Sequence, residues 1–281
     1  MLRILLIGDI VGKPGRKIVA KAVPGLRLRE SIDLVIANGE NAADGSGITP
    51  AIYRALLKSG VDCITLGDHI YRRQEIESVL RTESNMVKPA NYPPEAPGPD
   101  HAIVATSAGI RVAVMSLLGR VFMRPVDCPF KAADRVLAAI PAEVKVRIVD
   151  FHAEATSDKQ LMGRYLDGRV SAVLGTHTHV PTADEAILPH GTAFQCDVGM
   201  TGPYDSVLGR RVDRVLQTTL TFEPSHFDVA ERDVRLCGSL VDIDEASGRA
   251  TAITRVRINE AEAETLERLA LDAIRTTPPL M

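Results

Sequence analysis

Short apolar runs alternate with stretches of helical periodicity through the first half of this chain, and that order restricts the fold more than any other feature. Leu2–Ile7 reads as a strand, and Gly12-Lys13-Pro14-Gly15 turns into a helix from about Arg16 to Arg29. Ile32–Ala37 is a second strand. Thr49-Pro50 then opens a helix, with threonine as the cap and proline at the first helical position, ending near Ser59-Gly60. Val61–Leu66 is a third strand, followed by a helix from about Arg72 to Arg81. Parallel strands need a crossover, commonly a helix, so this order predicts an α/β layered fold with a parallel sheet.

Residues 86–100 read as proline-rich loop, Ala102–Ala105 and Ile110–Leu117 as strands, and Phe130–Ala139 as a helix. Val146–Phe151 is a strand that ends at His152. A helix at about Ser157–Leu166 leads to the strand Val170–Leu174. Downstream, Ala193–Cys196, Phe227–Ala230, Val234–Ile243 and Ala250–Ile258 predict β-structure without long helices between, hence a second, largely antiparallel sheet packed on the first. Asn259 caps a helix to about Arg275, with Glu260, Glu262 and Glu264 in its early turns, where the helix dipole favours acids. No repeat, low-complexity tract or linker divides the chain. We read one domain over residues 1–258 and a helical extension over 259–281.

Composition narrows the function. With 281 residues, 45% hydrophobic and 25% charged, the chain can bury a substantial core. A net charge of -3 gives no signature of duplex nucleic-acid binding. No apolar run approaches the roughly 18 residues of a membrane helix. The run before Asp9 is too short for a signal peptide and reads as a strand. Four scattered cysteines without a Cys-x-x-Cys fit a reducing cytoplasm and argue against thiolate zinc.

Chemistry enters just after the strands. Asp9 follows the first, Glu40 and Asn41 the second, and Asp68 and His69 the third; His152 ends another. The pair in Gly175-Thr176-His177-Thr178-His179 ends the next; if strand geometry continues through it, His177 and His179 share a face. Each residue alone has an ordinary reading as a turn cap, a solvated acid or a core histidine. Together, at the carboxyl ends of strands where α/β sheets bind ligands, they form the mixed oxygen and nitrogen set of a two-metal hydrolytic centre.

The order Asp…Glu-Asn…Gly-Asp-His…His…Gly-x-His-x-His resembles the calcineurin-like metallophosphoesterases. Five blocks narrow the resemblance to the YmdB-type branch: Gly8–Gly12, Asn38–Ala43, Asp150–Ser157, Gly175–Val180 and Asp197–Pro203. It covers roughly residues 1–258. It implies a two-sheet metallophosphoesterase sandwich, with helices flanking mixed sheets. It also implies one metal on Asp9, Glu40, Asn41 and His179, and a second on bridging Glu40, Asp68, His152 and His177. The metals would be iron or manganese, and the enzyme a phosphodiesterase acting on small phosphodiesters, notably 2′,3′-cyclic nucleotides, with RNA ends as a further partner. Attack would come from a hydroxide shared by the metals, with His69 as general acid, a role suited to a group titrating near neutrality.

Two departures from the pattern stand out. Val11 occupies the position of the superfamily's usual histidine, leaving Asn41 to supply that ligand. The branch usually carries Gly-Asn-His followed by Trp-Asp, where this chain has Gly67-Asp68-His69-Ile70-Tyr71-Arg72. The extra charge of Asp68 should favour a harder or higher-valent metal pair. Arg120, after a strand, is a candidate phosphate contact. Asp150 and Glu154 flank His152 as candidate orienting partners, and Met200–Gly209 is a candidate loop near the site or subunit contact in a homo-oligomer, with an ordinary turn as the equal alternative. The other function weighed is a regulatory protein that binds metal and nucleotide with little turnover. An amidase or lactonase fits worse, because neither His-x-His-x-Asp-His nor His-Glu-x-x-His spacing occurs.

Overall fold

Successive side chains of the first strand, β1 (Leu2–Ile7), leave opposite faces and enter different cores. Leu5 and Ile7 pack with helix residues, whereas Leu2, Ile4 and Leu6 pack against a second sheet. The computed structural model describes residues 1–276 and shows four layers, helices outside and two sheets between. The end of the expected helical extension, 277–281, lies outside the described residues.

The first sheet begins with β1, crosses through α1 (Gly12–Glu30) to β2 (Leu34–Asn38), and through α2 (Pro50–Lys58) to β3 (Cys63–Thr65). A 3₁₀ turn at Gln74–Ile76 and α3 (Glu77–Thr82) lead to the short β4 (Met86–Val87); all four strands are parallel neighbours. The chain then builds the second sheet. Its strands are β5 (His101–Ala105), β6 (Arg111–Leu118), β7 (Val146–His152), β8 (Ala172–Thr176), β9 (Ala186–Ile187) and β10 (Ala193–Gln195). Helices α4 (Pro129–Ala139) and α5 (Thr156–Leu166) are its crossovers. Strands β6, β7, β8 and β10 are parallel, with β5 and β9 antiparallel at the edges. The last segment returns to the first sheet with β11 (Gly202–Pro203), α6 (Val212–Thr221), β12 (Val234–Ile243) and β13 (Ala250–Asn259). The helix α7 (Glu260–Thr276) follows.

Both sheets carry one apolar face inward. Leu34 and Ile36 meet Val112, Val114, Ile148 and Leu174 between them. Met115, Leu117, Val149, Phe151 and Val173 face outward, against Ala133 and Val136 of α4 and Met162 of α5. A strand buried on both faces reads as a continuous apolar run, which is why these segments are visible in the sequence.

Several expectations are corrected. The long C-terminal strands do not build a second sheet: β12 pairs antiparallel with β1, Leu2 opposite Ile243, and β13 runs along β12. The second sheet is mostly parallel and lies in the middle of the chain. Helix α1 starts at Gly12, since a proline in the first turn leaves no needed donor unmade. The helix expected over 72–81 is the 3₁₀ turn plus α3. Residues 227–230 form no strand beyond a bridge from Val229 to Arg210, and they are preceded by α6, for which the sequence reading has no counterpart. Asn259 does cap α7: its Oδ1 accepts the Glu262 N–H, and Glu262 in return accepts the Asn259 N–H, each at 2.9 Å.

Candidate metal centre

The strand ends that carry polar residues belong to both sheets, and they meet at one place. Asp9 follows β1, Glu40 and Asn41 follow β2, and Asp68 and His69 follow β3; His152 ends β7 and His177 follows β8. Asp9, Glu40 and His152 are fully buried, Asn41 nearly so. Donor atoms of Glu40, Asp68, His152 and His177 lie within 4.8 Å of one another. His152 Nε2 is 3.3 Å from Glu40 Oε1, 3.1 Å from Asp68 Oδ1 and 2.9 Å from His177 Nδ1. Beside this group, His179 Nε2 lies 3.8 Å from Asp9 Oδ1 and 3.3 Å from Asn41 Nδ2. A Cβ on Gly67 would fall 2.4 Å from His152 Nε2 and 2.5 Å from Glu40 Oε2, so glycine alone lets this backbone approach.

Each of the three clustered imidazoles has its other nitrogen held from outside. His152 Nδ1 donates to Thr176 Oγ1 (2.9 Å), which donates to Asp150 (2.6 Å); Thr65 and Asn38 also donate to that carboxylate. His179 Nδ1 donates to the Leu208 carbonyl (3.1 Å), and His177 Nε2 lies 3.3 Å from Glu154. With His152 Nδ1 turned to Thr176, His152 Nε2 and His177 Nδ1 face each other at 2.9 Å, where a proton or a cation can join the two rings. Asp9 Oδ1 is buried with no hydrogen-bond partner. A histidine whose outer nitrogen is fixed and a bare carboxylate oxygen are what a metal shell asks of its ligands. The residues therefore fit a metal centre.

The charges within the site are interdependent. Burial opposes the His152 imidazolium, but Glu40 and Asp68 outweigh it and hold the ring well above the usual histidine range. Burial, then the neighbouring His152, pushes His177 down to about 4. Glu40 is raised by burial, yet His152 and His69 bring it well below the ordinary carboxyl range. Burial pushes Asp9 up, and Asp150 up to about 6. His69 is raised first by its hydrogen bond with Glu40.

Seven expected metal residues and His69 are thus brought together, with adjustments. Strand geometry does not continue through the histidine pair: β8 stops at Thr176, and His177 and His179 have φ of 96° and 65°. They reach the site through a strained turn instead of a shared strand face. Asn41 turns its Oδ1 to His69 Nδ1 (2.8 Å) and its Nδ2 to Glu40 Oε1 (3.0 Å). Asp150 reaches His152 through Thr176 and Asn38 and not directly, and Glu154 faces His177. Arg120 is exposed, its backbone N–H on Asp158, and its side chain does not join the cluster. Arg124, four residues later, is the arginine that bonds Tyr92 OH (3.2 Å) and senses Asp68. Sequence reasoning passes over Lys159 and has Asp197 only as the start of a motif block, with no role assigned; Asp197 follows β10 as an acid after a strand, the same signal that marks Asp9.

A family model for YmdB-like proteins matches residues 5–256. The chain belongs to the YmdB-like family. It is 46% identical over 259 residues to a Bacillus subtilis 2′,3′-cyclic-nucleotide 2′-phosphodiesterase, covering 92% of this chain and 98% of that protein. A crystal structure of a hypothetical protein from Thermus thermophilus superposes with a TM-score of 0.86 at 43% identity, covering 92% of this chain and 100% of that one. A novel phosphatase from Mycoplasma pneumoniae superposes at 0.85 with 30% identity, covering 92% and 93%. By family and by fold, this YmdB-like chain is a metallophosphoesterase. None of its described helices is long and apolar enough to cross a membrane.

Proposed function

We propose that this YmdB-like protein is a dinuclear metal-dependent phosphodiesterase for small phosphodiesters, with 2′,3′-cyclic nucleotides as the first substrate class. One observation carries the reading: buried carboxylates and imidazole nitrogens converge at the ends of five strands, with one Asp9 carboxylate oxygen left bare. Asp9, Glu40, Asn41 and His179 would hold one cation, and Glu40, Asp68, His152 and His177 the other, iron or manganese in each. Such a pair, when bound, acidifies a shared water and clamps attacking and leaving oxygens. The Bacillus subtilis relative's activity supports the substrate class. The family match ends at residue 256, which supports reading α7 as an addition that packs Ala263 and Leu266 into the α1 core.

His69 is the proton donor in this reading. Its backbone N–H donates to Glu40 Oε2 (3.0 Å) and its Nδ1 to Asn41 Oδ1, so the partly exposed ring is fixed, with Nε2 3.8 Å from Asp68. Glu40 Oε1, 3.2 Å from the ring Nδ1, keeps the ring protonated to higher pH, as an acid catalyst requires. Hydrolysis of 2′,3′-cyclic AMP by manganese-loaded protein tests this. Turnover should vanish on chelation and return with metal, and His69→Ala should lose about 100-fold or more at unchanged metal content. A fully metallated wild type that binds the nucleotide without turnover would replace the enzyme reading with that of a regulatory binding protein.

A further inference from the structure

The turn that presents His177 and His179 is the least self-supporting part of the centre. Both histidines occupy left-handed backbone, which β-carbon sterics disfavour and which persists only where surroundings over-determine it. Three outside groups grip the turn. Asp9 Oδ2 accepts the His177 N–H (3.0 Å), and the Leu208 carbonyl accepts from the His179 ring. Between them, Asp197 Oδ2 accepts both the backbone N–H (3.0 Å) and the hydroxyl (2.8 Å) of Thr178.

Asp197 is itself locked from behind. Its Oδ2 receives Lys159 Nζ at 2.6 Å, both side chains being 1% exposed, and its Oδ1 receives the Gly199 N–H at 2.8 Å. Lys159 comes from the first half of α5, the crossover that follows β7 and so follows His152. The lysine stem passes close to Gly175, where a Cβ would lie 3.1 Å from Lys159 Cδ and 1.7 Å from the Cys196 carbonyl. The backbone ahead of the histidine turn is thus pressed against the strand that delivers Asp197. As a stability device this arrangement is weak, because a buried ion pair seldom outperforms an apolar pair of the same volume. Its specific output is the placement of Thr178, the residue between the two histidines.

We propose that the buried Lys159–Asp197 pair, acting through Thr178, is the positioning device that sets His177 and His179 at the distance and angle the metal centre requires. Lys159, Asp197 and Thr178 touch no clustered nitrogen or carboxylate directly; they are positioning residues. The proposal rests on the dinuclear reading above, since it assigns a purpose to the placement of two of its ligands.

The test is equilibrium titration of metal-free protein with Mn²⁺, alongside the thermal midpoint without metal and steady-state kinetics on 2′,3′-cyclic AMP. Thr178→Val removes the hydroxyl at constant shape and should weaken Mn²⁺ binding by about tenfold or more, the range found for partners of metal ligands. The metal-free midpoint should fall by no more than about 4 °C, the cost of one hydroxyl bond in a chain of this size. Thr178→Ser, which restores the hydroxyl, should return affinity to within about threefold of wild type. Lys159→Met should weaken Mn²⁺ binding at least as much as Thr178→Val. Where it does not fold, the threonine pair decides. Wild-type affinity in Thr178→Val or in a folded Lys159→Met overturns the proposal, as does a serine variant no better than valine. A wild type that binds Mn²⁺ without turning over cyclic nucleotides removes the substrate reading and leaves this one standing. A wild type without Mn²⁺ affinity removes both.

Discussion

His152 and the His177–His179 pair offer the same imidazole chemistry from opposite kinds of backbone. His152 is the last residue of a central parallel strand, fully buried, with neighbours on both sides that fix its height and direction. His177 and His179 stand on a left-handed turn and are partly exposed, at 22% and 13%. The strand places its histidine as a by-product of sheet pairing. The turn needs Asp9, Asp197 and Leu208 to hold it, each from a different segment. A ligand carried by the sheet is bound into the core electrostatics, whereas a ligand carried by the turn depends on a few removable bonds.

The largest effect should come from exploiting that difference directly. His152→Ala should abolish measurable Mn²⁺ binding and destabilise the metal-free protein by about 3 kcal/mol or more, because it strips the compensating partner from buried Glu40. His177→Ala should weaken metal binding comparably while costing less than about 1 kcal/mol of metal-free stability. Chemical denaturation of both variants without metal distinguishes the two, and equal stability losses would break the contrast.

The pH dependence of metal-free stability should separate the pair next. His177 has a folded value of about 4, below that of a free imidazole, so the folded form disfavours its protonation. Its contribution is therefore present above about 6.5 and lost as pH falls from there toward 4. His152, raised well above its free value, contributes in the opposite sense, fully below about 6.5 and progressively less as pH rises through its folded value. Denaturation midpoints of wild type and His177→Gln between pH 6.5 and 4 should show the variant losing less stability on acidification. A variant that loses as much would mean the turn histidine is not sequestered from protons.

The smallest expected effect concerns the outer partners. Thr176→Val removes the hydroxyl under His152, but β7–β8 pairing still fixes the ring's height, so Mn²⁺ affinity should fall by no more than about tenfold, the low end for such partners, and less than for Thr178→Val. Titration of both valine variants side by side checks the order. The reverse order would show that the hydroxyl relay to Asp150 matters more than the strand.

How much of the molecule is readable in advance follows the same division. Asp9, Glu40, Asp68 and His152 are legible because each ends or follows an apolar run long enough to recognise, and a parallel strand fixes where its carboxyl end lies. Lys159 escapes such a reading because a lysine in a helix looks solvated until packing removes the water, and Asp197, although it opens a motif block, gains its role only once packing joins it to Lys159. Asp150 reads as a direct partner of His152 and does share its strand face, but two residues back it reaches the ring only through side chains of other strands, Thr176 and Asn38, while also accepting from Thr65. Arg120 and Arg124 are indistinguishable in sequence, because nothing in a loop's residues says which exposed arginine reaches Tyr92.

The chain alone determined the strands of the first half, most of their crossovers, the metal-binding residue types and the family to which they belong, since these depend on local periodicity and on residue identity. Tertiary structure alone decided that the C-terminal strands complete the first sheet, because strand pairing joins Leu2 to Ile243 across nearly the whole chain. It also decided how the two histidines reach the site. A left-handed turn is unfavourable in itself, and only distant groups brought close by folding, Asp9 from one sheet and Asp197 from the other, can hold it.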